Sequence, residues 1–81
     1  MRVKILNNAR QIRECVAVDL GQPYTHSLNN HLLRLEMMAG EVYDVENISE
    51  KTPHGQFYRL RVPGHLGPLS VITDVCEVVE G

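Results

Sequence analysis

At 81 residues, 43% of them apolar, and with a formal net charge of −2, the chain is long enough for one hydrophobic core and little more. Its apolar content excludes a disordered chain, and its acidic balance excludes a broadly basic nucleic-acid binder. The charge is uneven: residues 1–35 carry five basic groups against two acids, and residues 36–81 carry three against eight. A local basic patch on the first half is therefore weighed against a mixed, solvated surface. Two cysteines, Cys15 and Cys76, stand far apart in the sequence. No apolar leader opens the chain, and no run reaches the roughly 20 apolar residues that span a bilayer. The expected setting is the cytoplasm, with reduced thiols acting as small core side chains.

Residues 1–6 read as a strand, with Val3 and Ile5 alternating with Arg2 and Lys4. Asn7 and Asn8 break it. Residues 12–20 read as a second strand on the β-branched content of Ile12, Val16 and Val18, with a short helical turn over 9–14 as the alternative. Gly21, Pro23 and the polar residues as far as 30 read as a loop. Residues 31–38 are ambiguous. Ser27 could cap a helix over 28–38, but Leu33, Leu35 and Met37 alternate with Arg34 and Glu36, and that period favours a strand. Residues 41–47 read as a strand with Tyr43 and Val45 on one face, and 49–55 as a polar turn. Residues 56–62 read as a strand with Tyr58, Leu60 and Val62 on one face and Phe57, Arg59 and Arg61 on the other. A rigid loop over 63–68, a strand over 69–72, a brief turn at Thr73 and Asp74 and a closing strand over 76–79 complete the pattern. The expected fold class is all-β, with roughly five to seven short strands, at most one short helix, and closure that removes exposed edges.

From residue 37 onward the chain resembles a known type. The run MMAGEVYDV over residues 37–45 looks like the diverging turn and second strand of the small SH3-like barrels found in bacteriophage and prophage genomes. Phe57, Tyr58, Arg59 and Leu60 are similar to their third strand, residues 75–80 to their closing strand, and residues 1–5 to their opening strand. The resemblance covers residues 1–8 and 37–81, and it departs in two places. Cys76 stands where an aromatic is usual, and residues 9–36 form an insertion between the first and second core strands. It implies one SH3-like barrel domain over 1–81, encoded by a phage and acting in the host cytoplasm. It also implies a module that binds and modulates a host protein, as anti-CRISPR proteins do to a bacterial defence system. Polyproline recognition is not carried over, because those grooves need a Trp and clustered Tyr and this chain has no Trp and three Tyr.

No catalytic set, metal site or cofactor site assembles from the residues. His26, His31, His54 and His65 lack the spacings that zinc prefers. Cys15 and Cys76 lie in apolar runs with no His and third orienting group beside them. Gly64 and Gly67 lack the Lys and following helix of a phosphate loop. What remains is binding. Phe57 beside Arg59 and Arg61 suits a protein hot spot or a base-stacking platform, unless the 9–36 insertion caps Phe57. Tyr24 suits a recognition tip or a loop anchor. The candidate partner-binding residues are thus Tyr24, His26, His31 and Arg34 in the insertion, with Phe57, Arg59 and Arg61 on the strand. The expected partner is a host protein. A nucleotide or nucleic acid is the alternative, self-association as a homodimer is allowed, and no membrane is involved.

Overall fold

The computed structural model describes the whole chain, Met1–Gly81. Five strands, β1 (Arg2–Ile5), β2 (Val42–Ile48), β3 (Phe57–Arg61), β4 (Leu69–Ile72) and β5 (Cys76–Glu80), form one antiparallel sheet in the order β4-β3-β2-β1-β5. Two helices, α1 (Ala9–Asp19) and α2 (His26–Met38), make a hairpin between β1 and β2. A single 3-10 turn, Thr73–Val75, joins β4 to β5. The architecture is α+β, a sheet with a helical hairpin on one face. The expectation of an all-β chain is therefore corrected.

The expectation of an SH3-like barrel is corrected as well. The edge strands β4 and β5 do not pair with each other, so the sheet is open. It is nevertheless coiled. Four strand spacings in a flat sheet measure roughly 19 Å, while the link from Ile72 to Cys76 reaches at most about 14 Å. Two register shifts assist the coiling: Glu46 is an extra residue in β2 between Val45 and Asn47, and β5 carries Val79 as an extra opposite the step from Arg2 to Val3. Such bulges raise local twist.

The 12–20 and 31–38 segments are helical for a reason visible once the period is counted at 3.6. Ala9 and Ala17 lie two turns apart and both are fully buried, with Ile12 and Val16 partly buried between them. Leu28, Leu32, Leu35 and Met38 make a buried stripe along α2, while Leu33 and Met37 point to solvent at 52% and 84% exposure. The alternation at 33, 35 and 37 is a by-product of crossing from one face to the other. Stripe burial outweighs the small propensity cost of Ile12, Val16 and Val18 in a helix. The cap of α2 is Thr25, not Ser27: its side-chain oxygen accepts from the Leu28 N–H at 3.1 Å. Gly40 ends the hairpin with φ at 82°, a left-handed conformation that glycine takes without strain. Its N–H donates to the Ile5 carbonyl at 2.7 Å and ties the end of α2 to β1.

The main core lies between the sheet and the hairpin. Val3, Ile5, Leu60, Val71 and Val75 from the sheet side are completely buried against Ala9, Leu35 and Met38 from the helices. A smaller cluster of Ala17, Leu28 and Leu32 holds the far end of the hairpin. The other face of the sheet is wet and charged. Glu80, Arg2, Asp44 and Arg61 stand side by side across four strands, alternating in sign. Arg2 reaches Asp44 at 3.3 Å and Glu80 at 3.8 Å, and Arg61 reaches Glu46 at 3.2 Å. No helix is long and apolar enough to cross a membrane.

Candidate functional site at the end of the helical hairpin

The connection between α1 and α2 is built by local sequence. Leu20 closes α1, and Gly21 follows with φ at 67°. The Gly21 N–H donates to the Val18 carbonyl at 3.0 Å and the Gln22 N–H to the Ala17 carbonyl at 2.8 Å. This paired closure is the usual glycine-terminated helix end, and it sets the position of Gln22. Pro23 prevents the helix from continuing, and Thr25 then caps α2. Glu14 holds the loop from the other side, accepting from the Tyr24 hydroxyl at 3.0 Å and from Arg10 at 3.1 Å. Arg10 also pairs with Glu36 on α2, so one arginine clamps the two helices.

This scaffold frames a pocket of about 380 Å³ whose polar lining comes from Arg13, Gln22, Thr25, Ser27 and His31, with Pro23 and Leu28 as its apolar wall. Arg13 sits on the buried stripe of α1, one turn from Ala9 and one turn from Ala17. One of its terminal nitrogens, Nη1, is buried without a hydrogen-bond partner, and so is Oε1 of Gln22. Arg10, Arg2 and Arg61 all pair with carboxylates, but Arg13 pairs with none. Burial lowers the Arg13 pKa, though a guanidinium stays charged in any protein setting. His31 is held below its ordinary value, first by burial and then by the nearby charges of Arg13 and Arg34. Its ring is therefore neutral at pH 7. Both atoms are closed to water, so they lie behind the pocket's surface and not on it.

A second concavity, of about 450 Å³, runs beside α2 and is lined by Leu33, Arg34, Met37, Met38, Tyr43 and Val62, together with Asn30. It places an exposed apolar strip next to the Arg34 guanidinium.

The seven residues singled out from sequence fall into two separate groups. Tyr24, His26, His31 and Arg34 all lie on the hairpin, but only His31 lines the Arg13 pocket. His26 is the exposed first residue of α2, and Arg34 borders the apolar strip. Tyr24 is tethered to Glu14, which raises its pKa chiefly through that hydrogen bond. Tyr24 is 58% exposed. Arg59 and Arg61 lie on the wet face of the sheet, away from the hairpin, because Leu60 between them is buried in the core. Phe57 pairs in register with the buried Ile72 and is itself half-buried against the core, so it offers no free stacking platform.

Of the other polar lining residues, Gln22, Thr25 and Ser27 fall in the segment 20–31 that the sequence offers for partner binding without being singled out, and Arg13 lies outside it. A signal for Arg13 existed: a charge placed four residues from Ala9 and four from Ala17 falls on an apolar stripe. That signal becomes visible only when 9–19 is read as helix. Cys15 is exposed on α1, whereas burial pushes the Cys76 thiol up to about 12, so it stays protonated at neutral pH. No group of three or more His, Cys, Asp and Glu side chains comes together. No family model matches the chain, and no curated protein or solved structure matches it at a significant level.

Proposed function

We propose that the chain is a non-enzymatic, cytoplasmic binding module that recognises a protein partner through the α1–α2 hairpin. The observation that carries this reading is a pocket at the end of the hairpin lined by Arg13, which has no carboxylate partner, together with Gln22, Thr25, Ser27 and His31. A charge left unpaired inside a fold costs stability, and Arg13 has no carboxylate partner, whereas Arg2, Arg10 and Arg61 each have one. The exposed Leu33 and Met37 add apolar surface next to Arg34 on the same helix, the mixture of apolar and Arg side chains that protein interfaces favour.

The wet face of the sheet does not favour a nucleic acid. Arg61 and Arg2 alternate with Asp44, Glu46 and Glu80, and a phosphate backbone would meet as many acids as bases there. The narrower idea of a phage-encoded antagonist of a host defence system rested on the barrel resemblance, and the open sheet withdraws its structural ground.

The test is affinity capture from lysate of the cells that express the protein, using wild type, Arg13→Gln and Arg59→Glu. A stoichiometric protein retained by wild type and Arg59→Glu, and lost with Arg13→Gln, is the expected result. Recovery of no stoichiometric protein, or equal recovery with Arg13→Gln, overturns the reading.

A further inference from the structure

We infer that the outer end of the helical hairpin is an acid-released catch. Protonating His31 sets it against Arg13 across the helix seam and parts α1 from α2 there, while the sheet and the base of the hairpin stay folded. The inference stands apart from the protein-partner reading, since it concerns the free chain.

Two features lead to it. The first is the set of charges around the ring. Arg13 from α1 and His31 from α2 line the same cavity. Arg34 follows His31 by three residues, on the neighbouring surface of the same helix. No acid answers these groups. The connecting loop brings only uncharged side chains to the pocket, and neither helix brings a carboxylate to it. Glu14 and Glu36 are both engaged by Arg10, and the Tyr24 hydroxyl takes the second oxygen of Glu14. Asp19, His26 and Asp74, the last on the 3-10 turn that packs against α1, are exposed and lie outside the pocket. His31 is kept neutral first by its burial and then by Arg13 and Arg34. A proton taken up in acid must therefore sit half-buried beside two guanidinium groups or carry the ring out to water.

The second feature is the packing, which decides between these outcomes. The Arg10–Glu36 pair joins the first turn of α1 to the last turn of α2, at the base of the hairpin. Beyond it, the buried packing of the seam is the small cluster of Ala17, Leu28 and Leu32, separate from the core of nine. A unit with so few buried apolar contacts opens at lower cost than the whole fold. The clamp is the pivot, and the part beyond it opens without disturbing Leu35, Met38 or the sheet. Opening hydrates the imidazolium and separates it from Arg13. At neutral pH the uncharged ring supplies no such drive.

The test is native-state hydrogen exchange of the full chain, read amide by amide by NMR in low concentrations of denaturant. It is run at about pH 7.5 and about pH 5.5, above the range in which the carboxylates titrate. The amides of residues 17–32 are expected to exchange through an opening that low denaturant hardly accelerates, while those of the sheet exchange only by global unfolding. Between the two pH values the constant for that opening should rise severalfold. The ordinary His31 value of 6.5 sets a ceiling of about tenfold. His31→Gln should abolish the rise. Arg13→Gln should move the titration of the His31 ring signal up toward its ordinary value and shrink the rise, leaving the part that burial alone causes. The wild-type measurement stands by itself if either variant fails to fold. Exchange of residues 17–32 only together with the sheet overturns the catch. So does a rise that survives His31→Gln, or a His31 titration that Arg13→Gln leaves in place.

Discussion

The wet face of the sheet and the end of the helical hairpin treat arginine in opposite ways. On the sheet, Arg2 and Arg61 are solvated and flanked by Asp44, Glu46 and Glu80, pairs that contribute little each but leave nothing unsatisfied. At the hairpin, Arg13 is half-buried, has no carboxylate and leaves a nitrogen unbonded. The same contrast holds for packing. The sheet shares a core of nine buried residues with the hairpin base, while the hairpin's outer end is held by Ala17, Leu28 and Leu32 alone. One region is built to be stable and the other gives up stability. The second is the region that the proposed function assigns to binding, because groups that satisfy each other in the free protein have nothing left for a partner.

The comparison can be broken at several strengths. Leu35 is fully buried in the main core, and Leu35→Ala should destabilise the whole fold by about 3–5 kcal/mol in denaturant melts. Leu32 is almost as buried but belongs to the small cluster. Leu32→Ala should cost about 2–3 kcal/mol, and hydrogen exchange should show the loss concentrated in residues 17–32. A loss spread evenly over the sheet amides would contradict the division into two packing units. Thr25→Ala removes the cap of α2 and should cost about 1 kcal/mol, with Thr25→Ser restoring most of it.

The smallest effect concerns pH. His31 has an ordinary value of 6.5 and a lower one in the folded chain. Below about pH 6.5 the unfolded chain therefore binds a proton that the folded chain refuses, so stability falls as pH drops through that window. The slope ends once the folded value is passed. His31→Gln should flatten this part of the stability curve as pH falls from 7 through 6.5. A variant curve parallel to wild type would show that burial does not hold the ring neutral.

Much of the sheet was legible in the sequence. Strands expected over 1–6, 41–47, 56–62, 69–72 and 76–79 occur as β1 to β5 with ends shifted by a residue or two, because alternation between core and water is a local pattern. Leu60 faces inward and Arg59 and Arg61 face outward, as that alternation requires. The hairpin was not legible in the same way. Its β-branched residues and the accidental alternation at 33, 35 and 37 mimic strand, and the decisive stripe of Leu28, Leu32, Leu35 and Met38 begins inside a segment that reads as loop. The turn expected at Thr73 and Asp74 is present as the 3-10 turn. What no local pattern can show is that β4 and β5 stay apart, since edge pairing depends on how far the whole sheet coils. Little of the pocket was legible residue by residue. His31 was named, but Arg13 and Gln22 become neighbours only through the fold of the hairpin and its glycine-terminated bend.

The position of β1 between β2 and β5 has a consequence for the order of assembly. Strands β2, β3 and β4 follow one another through links of eight and seven residues, whereas Ile5 must find Cys76 near the other end of the chain. Closing so distant a pair is slow, and topologies rich in such pairs fold slowly. The hairpin lies inside the segment that β1 must bridge to reach β2. Once α1 and α2 have met, with Arg10 across to Glu36 and Gly40 back at Ile5, they draw β1 toward β2 as a clasp would. The insertion that carries the pocket thus also holds together the two strands that it separates in sequence.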